Sequence, residues 1–333
     1  MGMLKRISLS IFGTGLLLTL ASLIFVQPVT AEIRQIYVSN EKSNTLTVLD
    51  GNTYQVVRSI ETCKRPRGVH FSKDRKQFYV GCADDNVIAI YNTADGSRIG
   101  RIRNIAEPET FDLTPDGKVL IVSNEDDAAA SFVDIESGKI IGSVELGEEP
   151  EGVQVTKDGS TVYVASEAAN LVHVIDVKSM EIIADILVGT RPRRFALTPD
   201  ESELWVSAEL AGLVDIIDTA THRVIGDISF LPTGFRRNEV TPVDLLLTRN
   251  GKTAFVALGR ANHVAVVDVA NRKVEAYILV GKRPWGLALS SDEKILIVAN
   301  GLSDDISIID VGSRKVLKSV SVGQVPYGIL LDE

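Results

Sequence analysis

Histidine, cysteine and tryptophan are scarce in this chain of 333 residues: four, two and two. His70, His173, His222 and His263 are far apart, and no two have the spacing of a zinc site. There is no Cys-x-x-Cys-His for covalent haem, no Gly-x-Ser-x-Gly elbow and no Gly-rich phosphate loop. No residue is therefore assigned a catalytic role. A basic excess is also missing. Lys and Arg number 35 against 44 Asp and Glu, a net charge of −9, so nucleic acid is not an expected partner. After residue 31 no apolar run is long enough to span a bilayer.

The N-terminus is a separate segment. Lys5 and Arg6 precede an almost wholly apolar run, Ile7–Val26, and Gln27-Pro28-Val29-Thr30-Ala31 ends in small residues. This is the pattern of a signal peptide, residues 1–31, cut after Ala31. An uncleaved anchor is the alternative. The expected location is periplasmic or secreted.

Everything after it repeats. Similar units open at Tyr37, Tyr79, Ile121, Tyr163, Trp205, Phe255 and Ile297, in steps of 42, 42, 42, 42, 50 and 42 residues. An aspartate or asparagine recurs in the same rhythm, at Asp50, Asn92, Asp134, Asp176, Asp218, Asp268 and Asp310. Each unit holds four short β-branched runs, the first following a proline, as in Arg67–Ser72 or Glu151–Thr156. Such a period predicts an all-β fold over residues 32–333: a single seven-bladed β-propeller domain of four-stranded antiparallel blades. The last unit stops after its inner strand and the first begins with its second. The C-terminal inner strand should therefore pair with the N-terminal three, closing the ring and removing open edges. A monomer is expected.

Between the second and third runs, Asn44, Asn86, Asn170, Gly212, Asn262 and Asp304 hold one fixed position, all types that tolerate positive φ. Cys63 and Cys82 fall on the same rim. A bridge would close about twenty residues and add about 3 kcal/mol; the alternative is two unpaired thiols, since Cys63 aligns with Gly147, Gly189 and Gly281. The fifth unit is eight residues longer, within Phe230–Thr241.

The residues flanking the prolines change from copy to copy while the scaffold repeats. Arg65, Arg67, Glu109, Glu151, Arg191, Arg193, Arg194, Arg283, Trp285 and Tyr327 should converge near the mouth of the central channel. The ends of the second strands bring Glu41, Glu125, Glu167 and Glu209 to the same face. A position with a purely structural task would repeat one residue. This rim is a candidate ligand or partner site; the plainer alternative is a solvated ring of weak salt bridges. The arginines suit carboxylates, and Trp285 and Tyr327 would stack on a flat ring or plug the mouth. The glutamates suit calcium chemically, but no loop has a calcium-binding spacing.

Tyr37-Val38-Ser39-Asn40, Ile121-Val122-Ser123-Asn124 and Ile297-Val298-Ala299-Asn300, the first followed by Val48-Leu49-Asp50 and later by Arg65-Pro66-Arg67-Gly68, resemble the YVTN-type β-propeller repeat. More narrowly, Tyr37–Asp50, Trp205–Glu209 and Thr253–Gly259 are similar to the β-propeller proteins associated with PQQ-dependent catabolism. That resemblance implies a setting beside a periplasmic quinoprotein alcohol dehydrogenase or a transport component. It makes PQQ a cofactor to consider, beside the calcium that the rim glutamates suggest. Two tryptophans and no adjacent cysteine pair set the chain apart from the quinoprotein enzymes themselves. The expectation is a binding or accessory protein that holds a small anion or a partner. The alternatives are a lactonase-like hydrolase and a structural, cell-envelope repeat protein.

Overall fold

Runs of six or seven mainly β-branched residues form strands that pair into seven four-stranded antiparallel sheets. A computed structural model describes residues 1–2 and 32–333; the rest of the expected signal segment, residues 3–31, lies outside them. Blade one joins Pro326–Asp332 to Gln35–Asn40, Thr45–Asp50 and Val56–Glu61, with Tyr37 opposite both Leu330 and Val48. The ring therefore closes as the repeat predicts. Blades two to seven follow in order, with inner strands Pro66–Phe71, Pro108–Leu113, Pro150–Val155, Pro192–Leu197, Pro242–Leu247 and Pro284–Leu289. Each starts one residue earlier than expected, at the proline itself. Pro66, for instance, pairs with Cys82, and a bulge precedes Val69. Proline lacks only the donor, so it can open a strand through its carbonyl.

Second and third strands are buried along most of their length, and outer strands are mainly exposed. The core consequently lies between blades. Trp205 of blade five, for example, packs with Val256 and Ala265 of blade six. The inner strands approach closely. A Cβ on Gly152 would stand 2.1 Å from the carbonyl oxygen of Arg193, and one on Gly286 2.1 Å from that of Tyr327. Buried serines tie neighbours together: Ser39 Oγ donates to the Arg67 carbonyl at 2.8 Å, and Ser123 Oγ to that of Glu151 at 2.6 Å. The recurrent aspartates cap the outer turns, as Asp176 Oδ1 does for the N–H groups of Lys178 and Ser179.

Cys63 and Cys82 are joined by a disulfide, with Cα atoms 5.7 Å apart. The insertion runs from Phe230 to Thr241, between an outer strand and the next inner strand. It is anchored by buried Phe230 and Val240 and by Phe235, which meets His263 edge-on at 5.6 Å. Among the described residues no helix is long and apolar enough to cross a membrane.

Candidate binding site at the channel mouth

The residue before the proline sets the geometry of the mouth. Arg65, Glu107, Arg191 and Arg283 have φ of 52°, 38°, 64° and 57°, a region that side-chain-bearing residues seldom occupy. Each gives its backbone N–H to the side-chain oxygen of a turn asparagine in the preceding blade: Asn44, Asn86, Asn170 and Asn262, all at 2.9 Å. Asp304 does the same for Val325 at 2.9 Å. The asparagine repeat is thus a device that holds a strained backbone in place. Arg65, Arg191 and Arg283, fixed in this way, line a cavity of about 420 Å³.

Its floor is a buried ion network. Arg67 and Arg193 are 5% and 3% exposed, and Glu109 and Glu151 0% and 3%. Arg67 pairs with Glu109, with Glu41 at 3.0 Å and with Glu151 at 3.8 Å. Arg193 pairs with Glu167, with Glu209 at 3.4 Å and with Glu151 at 3.6 Å. Arg194 reaches Glu151 at 3.1 Å, Arg191 reaches Glu167 at 2.6 Å, and Arg283 reaches Glu209 at 3.1 Å. Arg65 bridges Glu107 and Glu109. The Tyr327 hydroxyl donates to Glu151 at 2.7 Å and accepts from Arg67 at 3.0 Å and from Arg194. Trp285 meets Tyr327 edge-on at 5.8 Å, with the Arg193 and Arg283 guanidiniums each 4.8 Å from its ring centre.

All fourteen residues singled out in the sequence belong to this mouth or its floor. Eleven of them line the cavity; Glu109 lies buried beneath Arg65 and Arg67, while Arg194 and Tyr327 face downward. The solvated ring of weak salt bridges is not what forms, because the innermost pairs are sealed from water. Such a network offers no gain in stability over an apolar filling. Apolar packing between blades already holds the ring.

The field separates the carboxyls. Burial, and then the charge of Glu151, hold Glu109 well above the ordinary carboxylate range and push Glu167 up to about 8. Burial acts on Glu151 too, but Arg193, Arg194 and Arg67 outweigh it and hold its carboxyl well below that range. Glu151 is a fixed anion, whereas Glu167 carries a proton near neutrality. The carboxylate oxygens of Glu107, Glu109 and Glu125 lie within 4.8 Å of one another. Arg65 and Arg67 already neutralise the first two, which makes them poor calcium ligands.

A second cavity of about 180 Å³ lies under Arg194, Trp285 and Tyr327, with Asp244 and Thr110 in its wall. Asp244, Arg260 and Leu210 were not picked out in the sequence. Asp244 had a signal. Two residues past the proline, four copies have Gly68, Gly152, Gly286 and Gly328, and the side chains in the others, Thr110, Arg194 and Asp244, line the lower cavity. Arg260 and Leu210 had none, since that turn position varies freely.

Ser166, His173 and Asp185 look like a catalytic triad: His173 Nε2 lies 2.9 Å from Ser166 Oγ, and Nδ1 2.6 Å from Asp185. Yet Nε2 accepts the Gly147 N–H at 3.1 Å, and both Ser166 and His173 are buried. In blade five Asp215 accepts the matching Gly189 N–H at 2.7 Å. This is a fastening between strands.

Solved structures share the fold at low identity. A protein of Lactobacillus plantarum superposes with a TM-score of 0.79 at 15% identity, covering 90% of this chain and 100% of that one. The Kuenenia stuttgartiensis hydrazine synthase gives 0.71 at 21%, covering 79% and 88%. The dihydro-heme d1 dehydrogenase NirN gives 0.69 at 12%, covering 90% and 75%. No curated protein matches the sequence. A family model, however, matches residues 29–145 and 184–327, and by that match the chain belongs to the lactonase, 7-bladed β-propeller family.

Proposed function

We propose that this is a periplasmic or secreted binding or accessory propeller that holds a small carboxylate-bearing molecule at the mouth of its central channel. The observation that carries the reading is the convergence of non-repeating arginines and Trp285 on one cavity of a scaffold that otherwise repeats. Arginine forks and an aromatic face suit a planar polycarboxylate. PQQ has that chemistry, and the resemblance to PQQ-associated propellers provides the setting, with a quinoprotein dehydrogenase or transport component as the partner. Thermal-shift titration with PQQ, short-chain acids and calcium tests this, because a ligand of the folded state raises the melting temperature with concentration. A rise with PQQ or an acid that disappears in the R191A/R283A variant supports the reading. No rise with any compound overturns it.

Family membership favours a second reading, a lactonase-like hydrolase. Glu167 lines the cavity and keeps its proton up to about pH 8, so it could serve as the acid while arginines polarise a lactone carbonyl. Turnover of simple lactones, abolished in E167Q, would establish it. Absence of turnover both with and without added divalent metal would remove it.

A further inference from the structure

Of the eleven acidic and basic side chains that line the mouth cavity, nine have a residue of the opposite type within 4 Å. Among the described residues the two without one are Glu125 and Arg260. Glu125 follows the second strand of blade three, Val119–Asn124, and Arg260 lies in the turn after that of blade six, Thr253–Leu258. Three steps around a ring of seven put them on opposing sides of the channel. Each also sits among its own sign. Glu125 faces Glu107 and Glu109, and the burial of Arg283 is compounded by the charges of Arg260, Arg193 and Arg191. The basic side thus holds one cation without a counter-charge, Arg260, and the acidic side one such anion, Glu125, with a paired ion network as the floor between them.

We infer that the mouth takes a dipolar small molecule: a carboxylate on Arg260 and Arg283 beside Trp285, and an ammonium on Glu125. The inference rests on the binding-site reading above and narrows its ligand to a class with two opposite, separated charges. An ammonium at Glu125 relieves the crowding of carboxylates there, and a carboxylate at Arg260 relieves that of guanidiniums. A singly charged molecule corrects one wall only.

Calorimetric titration of the protein with 6-aminohexanoate, hexanoate and hexylamine, and with their four-carbon counterparts, reads this directly. At one or both lengths the aminocarboxylate should bind at least tenfold more tightly than the acid or the amine. E125Q should reduce it to the level of the acid and leave the acid unchanged, whereas R260A should weaken both. Neither residue is buried, so both variants should melt as the parent does. Equal affinity of aminocarboxylate and acid, or a preference that survives in E125Q, overturns the inference and leaves the site reading standing. No binding of any probe overturns both.

Discussion

The side-chain oxygen of Asn170 accepts the backbone N–H of Arg191 at 2.9 Å, and Arg191 is held at a φ of 64°. Removing the acceptor leaves a strained backbone with nothing to hold it. N170A should lose about 1–2 kcal/mol in urea unfolding and weaken ligand binding at the mouth. N170D should stay close to the parent, because Asp304 performs the same task for Val325. Equal losses in the two variants would refute this account of the rim.

At the closing seam, a Cβ on Gly286 would lie 2.1 Å from the Tyr327 carbonyl oxygen. Backbone cannot yield as a side chain can. G286A should therefore cost more than about 3 kcal/mol, beyond the usual range for single substitutions, or yield no folded protein. At Gly100 the nearest atom would be Ile90 Cδ1 at 3.5 Å, so G100A should change the urea midpoint little.

The Cys63–Cys82 bridge joins residues 19 apart. Replacing both with serine should cost about 2–4 kcal/mol. A reductant should lower the melting temperature of the parent and leave that of the double variant unmoved.

Glu167 titrates at about 8 in the folded chain against an ordinary 4.5. Between those values the folded state binds a proton that the unfolded state has released, so the contribution is full below 4.5 and is lost as pH rises through 8. Urea midpoints at pH 5 and pH 8.5 should differ by less in E167Q than in the parent. An unchanged difference would mean that Glu167 is ionised throughout.

The blades were legible because most repeat the same residues at the same places: a proline to open, a glycine where inner strands meet, an asparagine for the turn, an aspartate to cap. The set of mouth residues was legible for the opposite reason, since Arg67, Glu109 and Trp285 differ where the frame does not. What sequence could not give was depth. Arg67 and Arg65 sit two residues apart, yet the first is 5% exposed and forms the floor while the second lines the rim. Pairing was hidden too. Tyr327 meets Glu151 and Arg194 from distant blades, and among the described residues Arg260 has no acid within 4 Å.

Ser39 Oγ accepts the N–H of Gly328, 289 residues away, and beside Gly328 stands Tyr327, which touches side chains of blades two, four and five. The mouth is thus missing a member until the last strand has docked, and such distant pairings form slowly. An unzipped ring has no pocket to offer. Occupancy of the mouth would report that the circle is complete, and a bound molecule would act as a clasp, since it is lost if the seam opens.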